Sequence, residues 1–96
     1  MPTLDELRAQ IDDLDRRIIT LLAERAAVVQ QVGELKTSDS EIVAEERQQY
    51  VYQSRRAWAV DVGLDPDFVE DLYRLMVEHF IAQERKQLAE RDNRPD

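Results

Sequence analysis

Five charged residues of this sequence fall on or beside the apolar faces of predicted helices, where a charge is costly unless it is paired. They are Arg8, Arg25, Lys36, Arg47 and Glu84. Arginine presents a planar fork of N–H donors that matches a carboxylate, whereas lysine offers a compact point charge. Several cations directed into a helical interior are prohibitive unless anionic groups meet them. Together these residues indicate a pocket for a small polyanion such as a dicarboxylate.

Each residue taken alone also has a structural interpretation. A charge beside a helix seam is commonly solvated while its aliphatic stem covers apolar surface, which suits Arg8 and Lys36. Arg25 lies in the seam itself and could form an ion pair with a neighbouring carboxylate or with one on another helix. Glu84 and Arg47 could be paired structurally in the same way. The residue pattern leaves both interpretations open.

The first third of the chain predicts the longest element. A helix is expected from Leu4 to Lys36, because apolar residues recur along it at alternating spacings of three and four, interrupted by Arg25. These apolar residues, which form its seam, are Leu4, Leu7, Ile11, Leu14, Ile18, Leu21, Val28, Val32 and Leu35. Thr3 and Glu6 form a capping box at the start, and Gly33 marks a close approach of backbone. A helix of ~33 residues is about 50 Å long, more than two shorter helices of the same chain can cover. The pattern therefore predicts that a second copy covers it in a homodimer.

Two shorter helices are predicted after this one. The polar run 37–41 is typical of a loop, and the second helix is expected from Ile42 to Val60, ending near Gly63 as a left-handed cap. Tyr50 and Trp58 are expected in its core.

The third helix has the clearest start. Asp65 is its expected N-cap, Pro66 its first residue and Leu88 its approximate end, with a frayed tail over 89–96. The sequence thus predicts an all-α fold of three helices per chain, one long and two shorter, in a single domain over 1–96.

Composition narrows the class of protein further. The chain has 96 residues, no cysteine and one histidine, so thiolate chemistry and a multi-histidine metal site are not expected. A net charge of −8 argues against a nucleic-acid partner but not against a small anion held by a few local cations. No apolar run approaches the ~20 residues of a membrane span, and the N-terminus lacks the pattern of a signal peptide. We expect a cytoplasmic protein with no membrane partner.

The chain resembles the all-helical chorismate mutase family along about residues 4–86. Its first helix resembles the family in LRAQIDDLDRRIITLLAER at 7–25 and in VGELK at 32–36. The likeness continues through Glu46 and Arg47, through GLDPDFV at 63–69 and through IAQE at 81–84. The spacing of Arg8, Arg25 and Lys36 is the specific part of this resemblance.

The resemblance implies an intertwined homodimer with shared active sites, each taking Arg8 from the partner chain. It implies that Arg8 and Arg25 hold the two carboxylates of chorismate and that Arg47 lines the ring side. Lys36 and Glu84 would donate hydrogen bonds to the ether oxygen, so that Lys36, Glu84 and Arg25 carry the catalysis. The implied reaction is the Claisen rearrangement of chorismate to prephenate in aromatic amino acid biosynthesis, the shikimate pathway. It needs no cofactor and no metal, although a partner enzyme sometimes activates small mutases of this type.

Three departures from the family pattern leave the substrate open. Many members carry glutamine where this chain has Glu84, which must be protonated to donate a hydrogen bond, so activity is expected to rise toward acidic pH. Ala44 and Gln48 stand where the family has acidic residues that contact the ring hydroxyl, so Gln48 is a substrate-binding candidate. The loop before the second helix is shorter, and the RAWA and GLD stretches resemble isochorismate-pyruvate lyases, which form salicylate.

Two further functions are compatible with the sequence. One is that of a mutase of 4-amino-4-deoxychorismate, whose ammonium group would favour an acidic residue in the pocket. The second, from a different class, is that of a catalytically silent dimeric helical module that binds a partner.

Overall fold

The computed structural model describes residues 1–93, and in that range the chain is helical with no strand. It contains three long helices and one short one. These are α1 (Leu4–Leu35), α2 (Asp39–Val43), α3 (Glu45–Asp61) and α4 (Pro66–Asp92). The predicted all-α class and the three long helices are confirmed, and α2 is an additional element. No helix of the described part is both long and apolar enough to cross a membrane.

The chain divides into two units, Met1–Gln31 and Val32–Asp96. The first unit consists of most of α1, whose start is confirmed because the N–H of Glu6 donates to Thr3 Oγ1 at 3.2 Å. The apolar residues that recur at spacings of three and four form a stripe along this helix, and the stripe is exposed. Leu7 is 41% accessible and Leu21 is 62% accessible. The described residues therefore leave the stripe in contact with water.

The second unit packs α2 and α3 on α4. Its buried apolar residues are Ile42, Val51, Tyr52 and Ala59. The guanidinium of Arg74 lies 4.2 Å from the centre of the Tyr52 ring, so a cation covers the edge of this small core.

The predicted loop over 37–41 is wrong at its second half, where the chain forms α2. Ser38 caps this helix by accepting the N–H of Glu41 at 3.3 Å, and the Glu41 carboxylate accepts the N–H of Thr37 at 3.1 Å. Ala44 ends the helix in the left-handed conformation, with φ of 46°. The second long helix therefore starts at Glu45 rather than at Ile42. A serine followed three residues later by glutamate is a capping-box signal, and it was present in the sequence.

The predicted boundaries between α3 and α4 are confirmed. Gly63 has a φ of +79°, and the N–H of Gly63 donates to Val60 O while that of Leu64 donates to Ala59 O. This pair of bonds is a Schellman motif, which favours glycine because other residues are strained at positive φ. Asp65 caps α4 by accepting the N–H of Asp67 at 2.9 Å, with Pro66 in the first turn.

Two predictions about the later helices are wrong. Tyr50 and Trp58 are each 53% exposed rather than in the core. Their rings lie instead near the guanidinium groups of Arg47, at 4.9 Å, and Arg55, at 4.5 Å. The buried residues of α3 are instead Val51, Tyr52 and Ala59, next to these positions in sequence.

The second wrong prediction concerns the end of the chain. Helix α4 continues to Asp92, so the part of the expected frayed tail from 89 to 92 is helical, and 94–96 lie outside the described residues. The last turn of the helix contacts the end of α1 through Arg91, which stabilises it in the helical conformation.

Candidate functional site

An ion pair between Lys36 and Glu84 lies at the centre of the candidate site. Lys36 Nζ is 3.1 Å from Glu84 Oε2, and the side chains are 19% and 6% exposed. Among the charged residues that the structure describes, Glu84 alone is buried. A carboxylate so far removed from water requires a partner, and the ammonium supplies it. The structure thus brings together two of the residues that the sequence singled out.

Gly33 allows the end of α1 to approach α4 closely enough for this pair. A Cβ at Gly33 would lie 2.5 Å from Gln87 Oε1 and 3.2 Å from Glu84 Cγ. Gly33 is buried in the described chain. The predicted close approach is therefore confirmed, and a larger residue would collide with the side chain of Gln87 and crowd that of Glu84.

Lys36 also joins the site to α2. Its Nζ donates to the carbonyl oxygen of Ile42 at 3.3 Å, and Ile42 is 2% exposed. An ammonium group has three N–H donors, and these two contacts use two of them. The ammonium is therefore oriented by one carboxylate and one carbonyl, with donor capacity left for a ligand.

Arg47 and Gln48 lie in the first turn of α3, which follows the left-handed residue Ala44. Gln48 Nε2 donates to Val43 O at 2.6 Å, so its amide oxygen remains available as an acceptor. Arg47 is exposed, with its guanidinium 4.9 Å from the centre of the Tyr50 ring.

A cavity of about 700 Å³ lies beside α2 and the first turn of α3. Arg47 lines it together with three acidic residues, Asp39, Glu45 and Glu46, and neither Lys36 nor Glu84 belongs to its lining. The role of Arg47 in binding a polyanion therefore stays a prediction.

Arg8 and Arg25 lie on α1 in the first unit, where Arg8 is exposed and Arg25 is half-buried. The remaining predicted site residues belong to the second unit. The assignment of Arg8 and Arg25 to substrate carboxylates stays a prediction.

A second ion pair, between Asp39 and Arg85, fastens α2 to α4. Arg85 Nε lies 2.7 Å from Asp39 Oδ1, and its second donor is 3.2 Å from Oδ2. The hydrogen bond from Arg85 lowers the pKa of Asp39, so the pair stays charged at neutral pH. Sequence reasoning missed this contact because an arginine on the exposed side of a helix carries no signal of a partner 46 residues away.

The described residues contain no group of three or more histidine, cysteine, aspartate or glutamate side chains placed to hold a metal ion. The site therefore offers ammonium, guanidinium, carboxyl and amide groups. These groups can bind and orient an anion and can stabilise charge that develops on an oxygen atom.

Comparison with known proteins places these residues in a family. The model of the family described as chorismate mutase type II matches residues 7–85. A chorismate mutase from Methanocaldococcus jannaschii is 29% identical over 92 residues, which cover 95% of this chain and 93% of that protein. The matched range contains all five of the charged residues predicted on or beside apolar helix faces, which are Arg8, Arg25, Lys36, Arg47 and Glu84.

Two further relatives differ in name or in length. An isochorismate pyruvate lyase from Pseudomonas aeruginosa is 34% identical over 83 residues, covering 86% of this chain and 82% of that protein. A T-protein from Haemophilus influenzae is 38% identical over 87 residues, which cover 90% of this chain but 23% of the T-protein. The chain thus spans about a quarter of the length of that relative.

The contact between Lys36 and Glu84 predicts a specific pattern of stability. Lys36→Met leaves the buried Glu84 carboxylate without its cation, so we expect the free energy of unfolding to fall by about 1–3 kcal/mol. The double variant Lys36→Met/Glu84→Gln removes both charges and should recover most of this loss. Urea unfolding at pH 7 measures both changes. If the double variant is no more stable than Lys36→Met, the loss comes from packing and not from the unpaired charge of Glu84.

Proposed function

The chain belongs to the chorismate mutase type II family, and from this membership we propose that it converts chorismate to prephenate. The reaction is an intramolecular rearrangement in which a C–O ether bond breaks as a C–C bond forms. The observation that carries the proposal is the oriented ammonium of Lys36 beside Glu84, 3.1 Å away. A rearrangement of this type needs restraint and charge stabilisation rather than a nucleophile.

Lys36 is suited to stabilise the transition state. Negative charge grows on the ether oxygen as its bond to the ring lengthens, and a fixed ammonium binds that charge more strongly than it binds the neutral ether. Two of its N–H groups are already engaged by Glu84 and Ile42, so the third can donate without a large rearrangement of the side chain. A donor oriented before the reaction costs little reorganisation when charge develops.

The arginines would supply restraint. Arg8 and Arg25 would each hold one carboxylate of the substrate by a planar fork, and Arg47 and Gln48 would contact the ring side. Holding both ends of the molecule favours the compact conformer from which the bond forms. The family match over 7–85 supports these roles.

We also propose that two chains form a homodimer with shared sites, to which Arg8 contributes from the partner. The support is the apolar stripe of α1, each member of which is at least 41% exposed in the single chain. The stripe consists of Leu4, Leu7, Ile11, Leu14, Ile18, Leu21, Val28, Val32 and Leu35. A row of this length at heptad-like spacing matches the seam between helices of two chains.

A second candidate function is the elimination of pyruvate from isochorismate. The Pseudomonas aeruginosa relative named for that activity is 34% identical over most of both chains. The acidic Glu84 and the neutral Ala44 and Gln48 also depart from the mutase pattern. The 4-amino mutase and the silent partner-binding module have less support, since neither matches the name of a relative described above.

Substrate turnover separates these functions. Purified protein incubated with chorismate should give prephenate, whereas salicylate and pyruvate from isochorismate would identify the lyase. Turnover of the 4-amino analogue alone would identify the third enzyme, and no turnover of any of them would favour the silent module.

For the mutase we expect Lys36→Ala to lower kcat by about a hundredfold or more. An effect confined to KM would contradict the role of Lys36.

Glu84 limits the hydrogen bonding that the site can offer to the ether oxygen. An ionised carboxylate accepts hydrogen bonds but cannot donate one. Glu84→Gln carries a permanent N–H donor and is therefore expected to raise kcat with chorismate. Steady-state rates of the parent protein and of the variant provide the measurement. An unchanged or lower kcat in the variant would exclude a donor role for the side chain at this position.

Dimerisation through α1 predicts a contrast between its two sides. Ile18→Asp places an unpaired charge in the stripe, at a cost of about 3 kcal/mol or more, which is roughly a hundredfold in the Kd of the dimer. Ala9→Asp makes the same change in charge on the opposite side of α1 and should leave the dimer intact. Sedimentation should give the parent twice the 11.3 kDa mass of the chain and Ile18→Asp a single chain without activity. Equal behaviour of the two variants would refute this interface.

A further inference from the structure

The last turn of α1 is capped by a side chain from the far end of the chain. The final carbonyl groups of a helix have no partner within it, and α1 carries no basic residue in its last turn. Arg91, in the last turn of α4, supplies the missing donors. One of its terminal nitrogens donates to Glu34 O at 2.6 Å, and the second donates to Lys36 O.

These two bonds hold the backbone on either side of Leu35. The planar guanidinium fixes the spacing of its two donors, so both carbonyl groups must keep their orientation. A positive charge at this point also interacts favourably with the negative end of the helix dipole. The backbone of Lys36 is therefore held by Arg91, while its ammonium is held by Glu84 and Ile42.

One face of α4 makes all of these contacts. Glu84, Gln87 and Arg91 follow one another at spacings of three and four, which places them on the same side of a helix. Glu84 meets the Lys36 ammonium, Gln87 lies against Gly33, and Arg91 closes on the carbonyls. The end of α1 is thus fixed to α4 over two helical turns.

We propose that Arg91 is a positioning residue for Lys36. It acts on the backbone from which the ammonium extends and sets the distance at which that ammonium can meet a substrate oxygen. Arg91 lies outside the range 7–85 that the family model matches, so the family pattern does not assign it. The inference rests on the proposed role of Lys36 in catalysis.

A spectroscopic measurement tests the contact without activity. The chain has two lysines, Lys36 and the exposed Lys86 on α4. Protein labelled with carbon-13 at the lysine ε position should therefore give two NMR signals, and Lys86→Gln assigns them by removing one. In Arg91→Gln we expect the Lys36 signal to move toward that of Lys86, while the Lys86 signal stays in place. An unchanged Lys36 signal in the folded variant would overturn the proposal.

Kinetics tests the consequence. Arg91→Gln should lower kcat for chorismate by about 10- to 100-fold, as expected when a catalytic group is displaced, with KM within about twofold. Lys86→Gln makes the same change in charge on the same helix and should leave both constants unchanged. Arg91→Lys keeps the charge without the fork and should lose less than Arg91→Gln, which also serves if the glutamine variant does not fold.

A double variant separates positioning from general stability. If Arg91 acts through Lys36, adding Arg91→Gln to Lys36→Ala should lower kcat by less than about twofold further. A full additional loss would assign Arg91 a structural role and overturn the proposal. If the parent protein turns over none of the candidate substrates, the proposed function fails. The NMR signal of Lys36 still decides whether Arg91 positions this residue.

Discussion

A carboxylate with 6% of its surface in contact with water cannot stand alone in a small helical unit, and Glu84 imposes this requirement on its surroundings. Lys36 meets this requirement, and Gly33 leaves the space in which the end of α1 lies close to Glu84 and Gln87 of α4. The same ammonium donates to the carbonyl of Ile42 near the end of α2 and so joins α2 to the ion pair. Replacement of such a pair by apolar residues is often neutral or stabilising, so stability alone does not explain why it is there. Its value lies in the orientation that it imposes.

Local signals predicted the parts of the fold that local interactions determine. The starts of α1 and α4 depend on side chains within three residues of the helix end, and the end of α3 depends on one glycine. The end of α4 was not predictable in this way. Its last turn contacts α1 through Arg91 and Glu34, which are 57 residues apart in sequence. No pattern near residue 91 records that contact.

Helix α2 shows a different limit. Its capping signal at Ser38 was readable, but the left-handed conformation of Ala44 was not, because alanine does not favour positive φ. The strain of that residue is offset by contacts from elsewhere: Ile42 is buried and Asp39 is paired with Arg85. The site depends on this break, since Gln48 donates to Val43 O across it. Helical periodicity, which identified Lys36 and Glu84 as charges on apolar faces, contains no information about such a turn.

Two carboxylates outside the site, Glu70 and Asp39, bear on how the pH dependence of the reaction rate is interpreted. The hydrogen bond from Arg74 lowers the pKa of Glu70, and the one from Arg85 lowers the pKa of Asp39. A carboxyl group with a lowered pKa contributes stability above its unfolded-state pKa, and that contribution is lost only as pH falls through the lower folded-state value. Because ordinary carboxyl pKa values lie near 4, both pairs keep their charges between pH 5 and 8. Neither Asp39 nor Glu70 therefore changes its charge in that window, and a change in rate within it reflects another group.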